Sequence, residues 1–125
     1  MTSRNTKRLG TDGEQRAVEF LVANNYSIVK TNYRVGRIGE IDIIAKNAEY
    51  ICFIEVKTRK SYSFGAPSEA VTFQKQEKIK LIASIYLSNT GNTNKCVRFD
   101  VVEILMDSNN NTNIVKSINL IKNAF

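Results

Sequence analysis

Histidine is absent from this chain of 125 residues, proline occurs once and cysteine twice. The missing histidine restricts function most. It removes Ser-His-Asp and Cys-His catalysis, histidine general bases and histidine metal ligands. Chemistry is left to carboxylates, lysine, tyrosine, or a hard cation held through oxygen. Cys52 and Cys96 fall in apolar, strand-like stretches where small buried thiols are commonplace. Two cysteines without a ligand-like cluster argue against a disulfide framework or a zinc site. No apolar run is long enough to span a bilayer, and the polar N-terminus carries no signal-peptide pattern. The expected location is the cytoplasm, with no membrane partner.

The length fits a single domain over residues 1–125, enough for a real core but not for two. Hydrophobic content of 42% and charged content of 24% are ordinary globular values. The net charge is +6 and the pI about 9.4, a balance suited to a polyanionic partner.

Along the chain, polar Met1 to Leu9 either frays or begins the first helix. From Thr11 to Asn24, Ala17, Phe20, Leu21 and Asn24 follow helical spacing, with Gly13 one turn earlier. Glu14 near the helix start interacts favourably with the dipole, or serves as an acidic metal ligand brought to the sheet by helix packing. Tyr26 to Tyr33 reads as a strand. Arg34 to Gly39 reads as a connection whose Arg34 and Arg37 suit bidentate phosphate contact. After a hairpin, Arg59 to Val71 reads as a long loop in which Lys60 interleaves with Tyr62 and Phe64 around Gly65 and Pro67. Its Phe64 has a core or dimer contact as an equal reading. Thr72 caps a helix to about Leu87 with Ile79, Ile82, Ala83, Tyr86 and Leu87 inward; Lys75 lies off that stripe and is expected to contact nucleic acid. Cys96 to Met106 reads as a strand, Asp107 to Asn113 as a polar loop, and Ile114 to Ile121 as a last apolar segment. The order predicts an α/β fold, a mixed β-sheet flanked by helices.

The stretch from Gly39 to Thr58, GEIDIIAKNAEYICFIEVKT, organises the rest. It reads as two strands interrupted at Lys46 to Glu49. Glu40, Asp42, Glu55 and Lys57 sit inside those apolar runs, where an unpaired buried ion costs several kcal/mol. Alternation puts Glu40 with Asp42 on one face, and Glu55 with Lys57 on one face. A two-residue loop at Ala48-Glu49 pairs Asn47 with Tyr50, Asp42 with Glu55 and Glu40 with Lys57, which brings both pairs to one side. An odd loop without a bulge puts Asp42 and Glu55 on opposite faces. In the even register two carboxylates and an ammonium converge as a divalent-metal site with a cation beside it. The plainer reading makes Glu40–Lys57 an ordinary cross-strand ion pair and Asp42 a strand cap.

Asp42, twelve intervening residues, then Glu55-x-Lys57 resembles the PD-(D/E)XK nuclease superfamily, with Ile41 in place of its leading proline. Gly10, Gly13-Glu14, Arg37-Ile-Gly39-Glu-Ile-Asp42, Phe53-Ile-Glu-Val-Lys-Thr58, Phe64-Gly-Ala-Pro67, Glu69-Ala-Val71 and Arg98-Phe-Asp-Val-Val102 together resemble the YraN family of small, endonuclease-like bacterial proteins. That family is similar to archaeal Holliday-junction resolvases. The resemblance implies a restriction-endonuclease-like core and metal-dependent hydrolysis of phosphodiester bonds in DNA, branched or junction DNA included. It implies that Asp42, Glu55, the Val56 carbonyl and Glu14 hold Mg²⁺ or Mn²⁺. Lys57 then orients the attacking water or stabilises the transition state, and Arg34, Arg37, Lys60 and Lys75 contact nucleic acid. Resolvases cut two strands symmetrically, so a homodimer fits the reading. Two other readings stand beside it: a nucleic-acid-binding or adaptor protein that retains the fold without turnover, and a structural charge network whose partner is another protein.

Overall fold

The computed structural model describes residues 2–60, 71–109 and 112–125. Helix α1 (Thr2–Ala23) leads into strands β1 (Ser27–Val35), β2 (Gly39–Asn47) and β3 (Tyr50–Lys60), then helix α2 (Phe73–Thr90) and strands β4 (Cys96–Asn109) and β5 (Thr112–Ile121). The strands form one sheet in the order β1-β2-β3-β4-β5. It is mixed: β3 and β4 pair in parallel across the α2 crossover, and the other neighbours are antiparallel. The α/β class expected from the sequence holds.

Each helix covers one face. Ala17 and Leu21 of α1 pack with Ile43, Ala45, Cys52, Ile54, Val102 and Ile104. Ile79, Ile82, Ala83 and Tyr86 of α2 pack with Ile44, Ile51, Phe53 and Val101. Cys52 and Ile54 therefore point to α1 while Ile51 and Phe53 point to α2, the period-two alternation of a strand buried on both sides. Asn25 ends α1 in the left-handed region, at φ 69°. Helix α2 is fixed at both ends: the Thr72 hydroxyl accepts from the Lys75 N–H, and left-handed Gly91 returns its N–H to Leu87 and Ser88.

Several boundaries differ from the sequence reading. Helix α1 starts at Thr2, so of the two readings of the polar N-terminal stretch it begins the helix, which polar residues continue without adding an apolar stripe. Strands β4 and β5 absorb most of the stretch expected as a polar loop, running to Asn109 and from Thr112. Ladder hydrogen bonds use backbone, so polar side chains do not end a strand. Strand β3 likewise runs on to Lys60. Cys96 is exposed, not buried, since it opens β4 at the rim of the sheet. The expectations for Tyr62, Phe64, Gly65 and Pro67 lie outside the described residues.

Candidate metal centre

The β2–β3 hairpin turns on two residues, with Ala48 at φ 53°, and its ladder runs from Asn47–Tyr50 through Ala45–Cys52 to Ile43–Ile54. This is the even register. The regular pairing stops there, one rung before Asp42 would meet Glu55. In that ladder the next N–H of β3 to bond across belongs to Val56, and the Asp42 carboxylate takes it instead: Val56 N donates to Asp42 Oδ2 at 2.8 Å. Asp42 thus stands in for a backbone acceptor at the point where the strands part. Side-chain alternation slips there as well. Ile43 packs on the α1 side and Ile41 on the α2 side, although strict alternation would put both on one face.

The slip gathers carboxylates from three elements. Oxygens of Glu14 on α1 and of Glu40 and Asp42 on β2 all lie within 4.8 Å of one another, and all three residues are half-buried. Glu14 reaches them because α1 lies directly on β3 at Gly13. A Cβ there would collide with the Thr58 hydroxyl, and Gly13 is buried. Glycine inside a helix costs about 1 kcal/mol relative to alanine, so close approach is the compensating gain. The Glu14 carboxylate also accepts from the Asn32 amide at 3.1 Å.

Glu55 completes the cluster from the α2 side. It is 6% exposed, and one of its oxygens, Oε2, is buried without a hydrogen-bond partner among the described residues. Its other oxygen, Oε1, faces the Lys75 ammonium at 3.4 Å. Burial raises the Glu55 pKa, and Lys75 and then Lys57 act against the rise. Burial also pushes Asp42 up to about 7, helped by the Glu55 and Glu14 charges and opposed by the Val56 N–H and Lys75. Crowded acids in a low dielectric resist ionising together, and a cation among them reverses that preference. Lys57 lies two residues beyond Glu55 on β3, in register with Glu103 of β4, whose Oε2 is likewise buried and unpartnered among the described residues.

The sequence-predicted residues distribute as follows. Glu14 and Asp42 come together, with Glu40 as the third member in place of the cross-strand partner of Lys57. Glu55 adjoins them without belonging to that tight group. Val56 is half-buried, with its N–H on Asp42. Arg34 is exposed at the end of β1, opposite Glu40, and Arg37 is exposed in the following turn. Lys60 is half-buried at the end of β3. Lys75 is exposed on α2, and its ammonium also pairs with Glu55 Oε1. Glu40, Asn32 and Gly13 are the contributors that sequence reasoning missed. Only Glu40 carried a signal, its i, i+2 spacing from Asp42.

A mixed five-stranded sheet with a helix on each face and an acidic cluster where two strands part defines the class. The chain belongs to a family described as "Uncharacterised protein family UPF0102", which matches residues 13–104. It is 51% identical over 124 residues to a UPF0102 protein of Acetivibrio thermocellus, covering 98% of this chain and 95% of that one. A UPF0102 protein of Caldicellulosiruptor bescii is 52% identical over 122 residues, covering 97% and 99%. One from Clostridium botulinum is 48% identical over 120 residues, covering 95% and 94%. This is the YraN-type family that the sequence motifs resemble. Among the described residues, no helix is long and apolar enough to cross a membrane.

Proposed function

We propose that this protein is a divalent-cation-dependent endonuclease hydrolysing phosphodiester bonds in DNA, with branched or junction DNA as the substrate class. The observation that carries the reading is Glu55, a buried carboxylate with an oxygen unpartnered among the described residues, beside three further clustered acids. Such an arrangement is costly without a cation. Every side-chain donor is a carboxylate oxygen, a hard set suited to Mg²⁺ or Mn²⁺. Asp42, Glu55, Glu14 and Glu40, with the Val56 carbonyl, would hold it. The mixed sheet covered by a helix on each face supports a restriction-endonuclease-like, PD-(D/E)XK core. Fold alone does not set activity, so the reading rests on the site.

A bound Mg²⁺ or Mn²⁺ supplies Lewis acidity at this cluster, offsetting charge on a phosphate and making water more acidic. The residues of the chain do the rest. The Val56 N–H fixes the Asp42 carboxylate and opposes its protonation. Lys57 orients the attacking water or meets negative charge developing on the phosphate, as a fixed cation beside the acids. Arg34 and Arg37, exposed near Glu40, grip backbone phosphates, and Lys60 extends that basic edge. A net charge of +6 draws a polyanion to the site. Symmetric cutting of two strands would require two copies of the chain.

The test is a panel of junction, duplex and single-stranded DNA and RNA, incubated with protein and Mg²⁺, Mn²⁺ or EDTA, beside thermal melts in the same buffers. Cation should raise the melting temperature and cleavage should need it. Lys57→Ala should keep the melt response and lose cleavage, because the lysine acts on the transition state. DNA affinity should fall steeply with salt, with a flatter slope in Arg34→Ala and Arg37→Ala. Binding without cleavage or cation response leaves the adaptor reading. Neither cation response nor cleavage ends the nuclease reading.

A further inference from the structure

Asn32 lies inside β1 between two regular rungs, Thr31–Ile43 and Tyr33–Ile41, so it stands opposite Asp42. Its backbone is not that of a strand: φ is 52°, in the left-handed region. Asparagine tolerates this conformation better than most residues, yet inside a ladder it interrupts extended pairing. The interruption aims the side chain across to α1, where the amide donates to Glu14 Oε2 at 3.1 Å. Glu14 is the one acid of the tight group that does not come from β2. Among the described residues, the Asn32 amide is the donor that holds it, as the Val56 N–H holds Asp42.

We propose that Asn32 is a positioning residue for the cation site: its amide holds the Glu14 carboxylate so that an oxygen is presented toward Glu40 and Asp42. This rests on the cation-site reading above. A ligating carboxylate needs an orienting donor, and partners of this kind change metal affinity by about 10- to 100-fold when removed. A neutral amide suits the task. It fixes the carboxylate without bringing a positive charge that would compete with the cation, unlike Lys75 on Glu55. The division of labour is then clear. Contact between Gly13 and Thr58 sets how close the α1 backbone comes, and Asn32 sets where the Glu14 side chain points.

The experiment compares wild type, Asn32→Gly, Glu14→Gln and the double variant by Mn²⁺ titration calorimetry and by melting in EDTA. Glycine accepts a positive φ without steric cost, so Asn32→Gly removes the amide and spares the backbone. Mn²⁺ affinity should drop about tenfold or more in Asn32→Gly, with no loss of melting temperature in EDTA. In the Glu14→Gln background, Asn32→Gly should cost nothing further, since the residue acts only through Glu14. Unchanged Mn²⁺ affinity in Asn32→Gly overturns the proposal, as does an equal loss in both backgrounds. A much lower melting temperature in EDTA also overturns it, because Asn32 would then serve the fold instead of the site. If wild type itself binds no Mn²⁺, the cation-site reading fails first, a result separate from all of these.

Discussion

Asp100 on β4 and Glu55 on β3 are both buried carboxylates of one sheet, and their surroundings differ in kind. Asp100 is 0% exposed, and both of its oxygens are occupied. Arg98 donates to them from Nε and Nη2 at 2.9 Å, the Tyr26 hydroxyl donates at 2.9 Å, and the Asn123 N–H donates at 2.9 Å. Arg98 is itself held, bonding Asn47 and lying over the Tyr26 and Tyr50 rings. Its guanidinium stays charged, and Asp100 raises its pKa further. Among the described residues, Glu55 has one oxygen without a partner and, for the other, a lysine that is 45% exposed. The first carboxylate belongs to a closed network. The second is left with capacity that no described residue fills, the difference expected between a structural ion pair and a site.

The largest expected effect tests the closed half. Asp100→Ala leaves Arg98 and the Tyr26 hydroxyl buried without their acceptor, and should cost about 3–5 kcal/mol in denaturant unfolding. A loss well below 1 kcal/mol would mean that the network contributes little, and the contrast with Glu55 would collapse.

The next effect has the opposite sign. Asp42 has a folded pKa of about 7 against an ordinary 3.8, so between those values the folded state binds the proton and the unfolded state does not. Stability in EDTA should therefore fall as pH rises from about 4 to about 7, and level off above. Asp42→Asn removes that slope. It should leave the protein no less stable at pH 4 and more stable at pH 8, by on the order of 1–3 kcal/mol. The same change should abolish most of the stabilisation by Mn²⁺. In wild type, Mn²⁺ affinity should rise through the same pH window, because the cation displaces a proton. Denaturant unfolding across pH, with EDTA and with Mn²⁺, measures all of these; an Asp42→Asn variant less stable than wild type at pH 8 would count against a crowded acidic site.

Much of this was legible in the sequence, for physical reasons that also mark where it stops. The turn at Ala48-Glu49 set the hairpin register, because strand pairing is local and turn length fixes its parity. The parting of the strands at Asp42 was not legible. It depends on a side chain outcompeting a backbone carbonyl for the Val56 N–H, and no pattern of apolar residues encodes that. Glu40 was read against Lys57 by extending an ideal ladder three rungs beyond Ile43–Ile54. Gly13 showed as one position of a helical repeat, while its contact with Thr58 depends on how two elements dock. Asn32 looked like an ordinary polar strand residue, since a positive φ leaves no mark on neighbouring residues. The pairing of Lys75 with Glu55 was not legible for a related reason. Helical spacing placed it off the Ile79–Ile82 stripe, but a long side chain at the first turn of α2 reaches back to the sheet.

Lys75 therefore supplies the smallest and sharpest test of the comparison. If its ammonium serves Glu55 as Arg98 serves Asp100, it is a structural tether, and removing it should weaken everything that depends on the site. If it only compensates an oxygen that a divalent cation would otherwise engage, the two cations compete. Lys75→Met keeps the aliphatic stem and removes the charge. The lysine side chain is 45% exposed, and Glu55 can take up a proton once the charge is gone, so melting in EDTA should fall only slightly. Mn²⁺ should bind roughly three- to tenfold more tightly, as expected from deleting one positive charge a few ångströms from the site at intermediate dielectric. Lys78→Met, on an exposed face of the same helix, controls for the change in net charge and should shift affinity less. Weaker Mn²⁺ binding in Lys75→Met than in wild type would place Lys75 beside Arg98 as a fixed structural cation. Tighter binding would make it the counter-charge that a divalent cation replaces.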